Sequence, residues 1–485
     1  MANFYFDDTN SNQDPLDGAN WWDQPGGAVG GGTQYGYPPS ASDNCQIDSG
    51  RTCSTSAFDY STLAIFGTLT TNSGTVDNIE VGGTITTNAS GGTVSSNSGT
   101  ITTNASGGTV SSNSGTITTN ASGGTVSSNL SSVNYNYGGI GTNDVGGNVG
   151  QNYGSVGDNT GTITSRMSGG STGNEYESAD IPAGYTVSSL FIGIYTNSGT
   201  IGTLAAGSSV STNAGTITTN NGSVGLNNGT ITNRGAGGST DTEYQAANIP
   251  EGYTVGNLYA SIALNGGTIT TVTGGYTVTT NNSVVTSNSG TVTTNNSVVT
   301  SNSGTVTTNV GSIDYNYGTV TDNSSNVTYN SGTVTINNSN VANNSGTVTT
   351  NNGIITTRSY GGITTNESES ADIPSGYTVT SLNVSITNNA GVVTTNNATI
   401  GYNSGTITNN AGITTLNAGI IVTNPSGGLV TNNQYLAIIT NQNGTLRIGT
   451  VTGGSGNLTA YAATNLSAQT AGTNVTLPSG NTSWW

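Results

Sequence analysis

The side chains able to do chemistry recur in this chain as a set with fixed spacing. Arg166, Glu175 and Tyr185 are followed by Arg234, Glu243 and Tyr253, and again by Arg358, Glu367 and Tyr377. The carboxylate lies nine residues and the phenol nineteen residues after the arginine in each copy. Two chemistries fit this set. A planar guanidinium can hold a carboxylate through paired hydrogen bonds and serve a neighbouring amide, closing one end of a structure. Alternatively, the arginine grips an acidic or sugar ligand in a loop lined by tyrosine. The segments that carry the set are RMSGGSTGNEYESADIPAGYTVSSL, RGAGGSTDTEYQAANIPEGYTVGNL and RSYGGITTNESESADIPSGYTVTSL. Three copies with one spacing mean one folded unit, expected to be a small β lobe ending in the strand GYTV-x-x-L.

Other reaction chemistry is thinly represented. The chain has no histidine and no lysine, which excludes a Ser-His-Asp triad, histidine metal ligation and a phosphate-binding loop lysine. Glu175 with Glu177, and Glu367 with Glu369, are carboxylate pairs of the kind a glycosidase needs, but Gln245 takes the second place in the middle copy. The reading is therefore no enzyme, no metal and no cofactor. Cys45 and Cys53 stand eight apart, compatible with a local disulfide outside cells or with two free thiols. Asp8, Asn10, Asn12 and Asp14 alternate as the oxygens of a calcium loop do, yet Gln13 replaces the usual glycine and no closing glutamate follows. A solvated polar terminus explains them as well.

The elements that must position these groups are short and periodic. From Gly274 to Arg358 an aliphatic residue falls every seven positions, from Val278 and Val285 to Ile355. Three residues after each stands an asparagine, beginning Asn281, Asn288, Asn295, Asn302, Asn309 and Asn316, until Arg358 takes the asparagine place. Glycines at 290, 304, 318, 332 and 346 make the true unit fourteen residues. Earlier, TITTNASGGTVSSNSG repeats every sixteen residues, the two extra residues lying in a Ser-Gly-Gly bend. One inward aliphatic residue flanked by Thr or Ser, then a bend, describes a strand that buries its side chain only when stacked on copies of itself. The expected fold is all-β: a parallel β-solenoid (β-helix) of 7/14- and 16-residue repeats with two short strands per coil, interrupted by the three lobes. A triangular coil of three sevens would make the glycines drift from face to face. Asparagine suits the bend because it tolerates the left-handed conformation, and its stacked side chains can bond from coil to coil.

The resulting plan is a non-repetitive N-terminal cap or attachment segment over 1–66 and solenoid over 67–165, 193–233, 265–357 and 385–425. Lobes fill 166–192, 234–264 and 358–384, and a C-terminal cap or tip fills 426–485. Charged residues are 6% of the 485, far below the roughly 25% of an ordinary domain. The net charge of −18 makes nucleic acid an unsuitable partner. No apolar run is long enough to span a membrane, and the N-terminus lacks the basic and apolar regions of a secretory signal. Thr277/Thr279 and their equivalents through Thr347/Thr349 form a T-x-T column, similar to the threonine ladders of β-solenoid antifreeze proteins. Thr is also simply a good exposed strand residue.

The Asn/Gly-bounded T-V-T repeats resemble the β-helical shafts of bacteriophage tail fibres and tailspikes, and those of large bacterial adhesins. The opening GANWWDQPGG and PPSASDNCQIDSG resemble the lead-in to such shafts. The resemblance implies a homo-oligomeric fibre, a trimer in the phage case, located on a virion surface or outside a cell. Its partners would be other virion or filament subunits and host surface glycans. The function expected is a structural virion fibre that attaches to host glycans; the alternatives are a filament-forming adhesin and, least favoured, an ice-binding solenoid.

Overall fold

The computed structural model describes residues 2–446, other than 8–12, 26, 28–31, 41–42, 57–61, 426, 434–437 and 443–444. The chain divides into two compact units, Met1–Gln245 and Ala246–Trp485. Both are parallel β-solenoids with two strands per coil, which excludes the three-sided alternative.

In the first unit, one sheet stacks every second strand from Asn44–Ile47 up to Ser171–Glu175, and continues through Thr186–Leu190 to Thr230–Arg234. The facing strands run from Thr52–Ser56 to Thr162–Arg166, and a fresh sheet then starts at Ile194–Asn197. Register is strict: Thr100, Ile101, Thr103 and Asn104 lie over Thr116, Ile117, Thr119 and Asn120. Within the second unit, one sheet runs from Thr254–Leu258 to Ile354–Arg358. Its facing sheet runs from Ile262–Asn265 to Ile438–Gln442, and a further sheet starts at Ile386–Asn389.

Each five-residue strand turns its second and fifth residues inward and its first, third and fourth outward. The second residue builds the apolar core, where Val278 through Val348 are fully buried. The fifth residue is asparagine, also fully buried. Asparagine therefore does not occupy the left-handed bend expected of it. Among the described residues only Gln13 is a non-glycine residue with positive φ, and the Ser-Gly-Gly bends use glycine instead, as at Gly107 with φ 78°. The fourteen-residue glycine column has another cause. A Cβ on Gly304 would lie 2.0 Å from the carbonyl oxygen of Gly290 in the coil below. Coils pass too closely there for any side chain.

The first and third inserts are coils of the stack. In the first, Ser171–Glu175 is followed by an irregular segment and then by Thr186–Leu190, which pairs directly upon it. The irregular segment takes the place of one strand, and Ile181 makes a single parallel bridge to Asn197. Within the second unit, Ile363–Glu367 and Thr378–Leu382 repeat this pairing, with Ile373 bridging Asn389. The lobes expected from the sequence thus fold into the stack, because their apolar residues Ile181 and Ile373 have a core to enter.

The coil pattern already begins within the segment read as a cap, since Asn44–Ile47 and Thr52–Ser56 pair with Thr62–Ile65 and Thr68–Asn72. What covers the open edge is Asn3–Phe6, with Trp21–Trp22 antiparallel to it. Phe4, Phe6 and Trp21 are buried over the end of the apolar column. Closing an open edge in this way removes a template for pairing with another chain. Cys45 and Cys53 face inward from the two sheets, both buried and with no disulfide between them. Of the calcium-type loop, 8–12 lie outside the described residues, as do Arg447 and the closing tryptophans.

Candidate functional site

The repeated Arg-Glu-Tyr set sits where a strand column ends, and the asparagine ladder explains why. Each ladder side chain donates its Nδ2 to the Oδ1 of the next coil's asparagine, as from Asn281 to Asn295 and from Asn295 to Asn309, both at 2.8 Å. Asn288, Asn302 and Asn316 form the facing ladder in the same way. Wherever a ladder stops, one amide is left with a buried donor, and burial without an acceptor is costly.

In the first insert both ladders are terminated by acceptors. Asn159 donates to Glu175 Oε1 at 2.6 Å, and Asn152 donates to the Tyr185 hydroxyl at 2.8 Å. Tyr185 also shares a hydrogen bond with Thr172 at 2.6 Å. Thr172 stands in the aliphatic column between Val156 and Val187, and polarity at that place was a signal in the sequence that went unread. The Glu175 carboxylate is fully buried and needs a cation. Arg166, the last residue of its sheet, supplies it: Nη2 lies 2.9 Å from Glu175 Oε2 and 2.8 Å from Glu177 Oε2. Its Nη1 donates to the Ile163 carbonyl, and its Cζ lies 5.9 Å from the Tyr185 ring centroid.

The second unit contains the same arrangement. Asn351 donates to Glu367 at 2.6 Å and Asn344 to the Tyr377 hydroxyl at 2.7 Å. Arg358 Nη2 reaches Glu367 at 3.1 Å and Glu369 at 2.7 Å. In the middle copy Asn227 donates to Glu243 at 2.6 Å, and Arg234 pairs with Glu243 at 2.9 Å. Tyr253, buried in the second unit, occupies the matching position of its segment.

Two expectations are corrected by this geometry. The guanidinium does not serve the last asparagine, because that asparagine offers a donor and arginine has no acceptor. Nor does the arginine clamp one carboxylate with two nitrogens; a single Nη2 is shared between two side chains. Gln245 shows what the second of these is for. Its Oε1 accepts from the Ile231 N–H at 2.8 Å and from Arg234 at 3.2 Å. Glu177 Oε2 accepts equivalently from Ile163 N–H and Arg166, so an acceptor is required there and a charge is not.

Electrostatics favour permanent pairing. Burial works against the charged guanidinium of Arg166, but Glu175 and Glu177 outweigh it and raise its pKa; Glu367 and Glu369 do the same for Arg358. Burial pushes the phenols of Tyr185 and Tyr377 up, so both remain neutral donors and acceptors. The side chain of Arg166 is 3% exposed and that of Arg358 4%, so neither is presented to an outside anion. A shallow groove of about 550 Å³ lies where the facing sheet of the first unit ends at Thr162–Arg166; it is lined by Thr162, Thr164, Asp180 and Thr196, and at its edge by the largely buried Arg166 and Glu177. Among the described residues no group of three or more Cys, Asp or Glu side chains is placed to hold a metal ion, and no helix is long and apolar enough to cross a membrane.

Comparison with family models, with curated proteins and with solved structures finds no match to this chain.

Proposed function

We propose that this chain is a structural appendage protein of a virion, a β-solenoid stem that carries surfaces for attachment to host glycans. One observation carries the reading. The repeated polar constellation is spent internally, on ending asparagine ladders and holding buried charge, and the outward positions of the coils are mostly Ser, Thr and Asn, with scattered exposed Tyr, Val and Ile. Coils joined by backbone bonds, a continuous aliphatic column and buried amide ladders suit a protein whose work is to hold a shape outside a cell. The sparse charge of the chain suits contact with neutral, hydroxyl-rich partners. Side-by-side association of copies, a trimer by the phage resemblance, belongs to this proposal and is read by sedimentation.

The test is mass spectrometry of purified virus particles from the source sample, with gold-labelled antibody in electron microscopy. Label on a particle appendage is the result expected. Absence from particles, with label on cell surfaces or free filaments, overturns the virion assignment in favour of an adhesin.

A further inference from the structure

Two clusters of exposed tyrosines answer to no requirement of the fold. The run Val133-Asn134-Tyr135-Asn136-Tyr137-Gly138 in the first unit returns in the second as Ile313-Asp314-Tyr315-Asn316-Tyr317-Gly318. In both, the aliphatic residue and the central asparagine fill the ordinary buried places. The tyrosines occupy outward positions where neighbouring coils hold small polar residues: Tyr135 lies over Thr119, and Tyr315 over Ser301. Each run gains a third ring from the next coil. Tyr153 stacks on Tyr137 with centroids 4.9 Å apart and planes at 11°. Tyr329 stacks on Tyr315 at 5.2 Å and 8°, while Tyr317 lies alongside Tyr315 at 6.4 Å and 5°. Tyr317 remains 58% exposed, and no further ring stacks on it among the described residues.

We propose that these tyrosine corners are carbohydrate-binding sites for neutral glycans. The inference rests on the attachment reading above and deepens it by naming the surface and the ligand class. Parallel phenol rings offer a flat apolar face to the C–H face of a pyranose, and their hydroxyls, with the adjoining Ser and Asn side chains, offer partners to sugar hydroxyls. Tyrosine supplies this contact with little rotamer entropy to lose. Charge selects among ligands. A net charge of −18 without lysine, and Asp314 beside Tyr315, disfavour nucleic acid and acidic polysaccharide. Area disfavours a protein partner: three partly exposed rings present at most roughly 300 Å², well under the ~800 Å² each side of a stable interface buries.

The experiment uses the full chain on an array of immobilised neutral and anionic oligosaccharides. Beside it are tested the triple variants Tyr135→Ser/Tyr137→Ser/Tyr153→Ser and Tyr315→Ser/Tyr317→Ser/Tyr329→Ser, and their combination. Serine is native to such positions, and circular dichroism checks that the fold persists. The expected result is retention on neutral sugars, weakened about tenfold by each triple variant and abolished by both. Silence of the wild type on every neutral glycan overturns the proposal. So does undiminished binding by the combined variant, or a loss confined to self-association in sedimentation. A chain found on virions but silent on glycans removes these sites and leaves the appendage reading standing. Tyrosine-dependent glycan binding by a chain absent from particles does the reverse.

Discussion

Glu177 and Gln245 hold equivalent places with different charge, and the difference between them separates the roles of the two acidic positions. Glu175 is fully buried and paired with Arg166, whereas Glu177 keeps a side-chain exposure of 19%. Removing one partner of a buried pair strands the other, at a cost of about 3–5 kcal/mol. Arg166→Ala is therefore expected to loosen the first insert by about that amount, read as faster amide exchange over 159–190. Glu177→Gln, which copies the middle insert, is expected to change exchange by less than about 1 kcal/mol. Equal effects of the two substitutions would remove the acceptor-only role assigned to Glu177. The ladder ends are treated unequally, and chemistry explains it. Donor ends at the first and third inserts are capped by Glu and Tyr, whereas, of the starting acceptors, Asn197 Oδ1 and Asn265 Oδ1 are buried without a partner and Asn389 Oδ1 accepts from the Gly391 N–H at 3.2 Å. An unsatisfied carbonyl is more readily tolerated than an unsatisfied N–H. Cys45 gives a second prediction at this scale. Burial, with Asp43 and Cys53 nearby, pushes its thiol well above the ordinary range. Native protein is expected to leave Cys45 unlabelled by a thiol reagent that modifies it fully once unfolded; prompt native labelling would contradict the inward placement.

At the scale of the element, one coil cannot stand alone, so its tolerance is set by its neighbours. Val306 is fully buried between Val292 and Val320. Val306→Asp places an unpaired charge in that column and is expected to open the stack locally, with new protease cleavage near 300–312 and a lower melting temperature. Unchanged cleavage and melting would discard this register. Gly304→Ala is expected to be more damaging than the outward-facing Thr307→Ala, because its Cβ would meet the backbone of the neighbouring coil. These consequences were legible in the sequence, since a period of seven with a glycine at fourteen specifies which side chains enter and how many strands make a coil. The Arg–Glu pairing was legible from its constant spacing. The course of the inserts was not. Ile181 reads as part of a loop signal, Asp-Ile-Pro, and only the stack reveals that it substitutes for a strand's inward residue. The tyrosine corners also escaped, because an isolated Tyr in a Thr position carries no period; only stacking across coils joins Tyr153 to Tyr137.

For the molecule as a whole, the composition sets how stability answers to pH. The chain has no histidine, so no side chain has its ordinary titration in the middle of the pH range. The raised pKa values of Arg166, Arg358, Tyr185 and Tyr377 move those groups further from neutrality. Acid works in two opposing ways. Protonating carboxylates reduces a charge of −18 and with it the repulsion within each unit. At the N-terminal edge, however, Asp43 is held at about 2 by the Ser40 hydroxyl, by the Ala2 N–H and by the Ser40 N–H. A carboxylate with a lowered folded pKa stabilises fully above its ordinary value and loses that contribution as pH falls through the folded value. The Asp43 contacts are thus intact above about pH 4 and lost towards pH 2. Asp43 is only partly buried, so the effect is small and local. The expected outcome is a melting temperature that is nearly flat between about pH 5 and 9, followed in acid by faster amide exchange over 2–6 and 43–47 before the coils beyond them respond. Asp43→Asn should bring that segment's acid behaviour to neutral pH. A melting temperature that moves steeply between pH 6 and 8, or coils that open before the N-terminal edge, would place the controlling charge elsewhere.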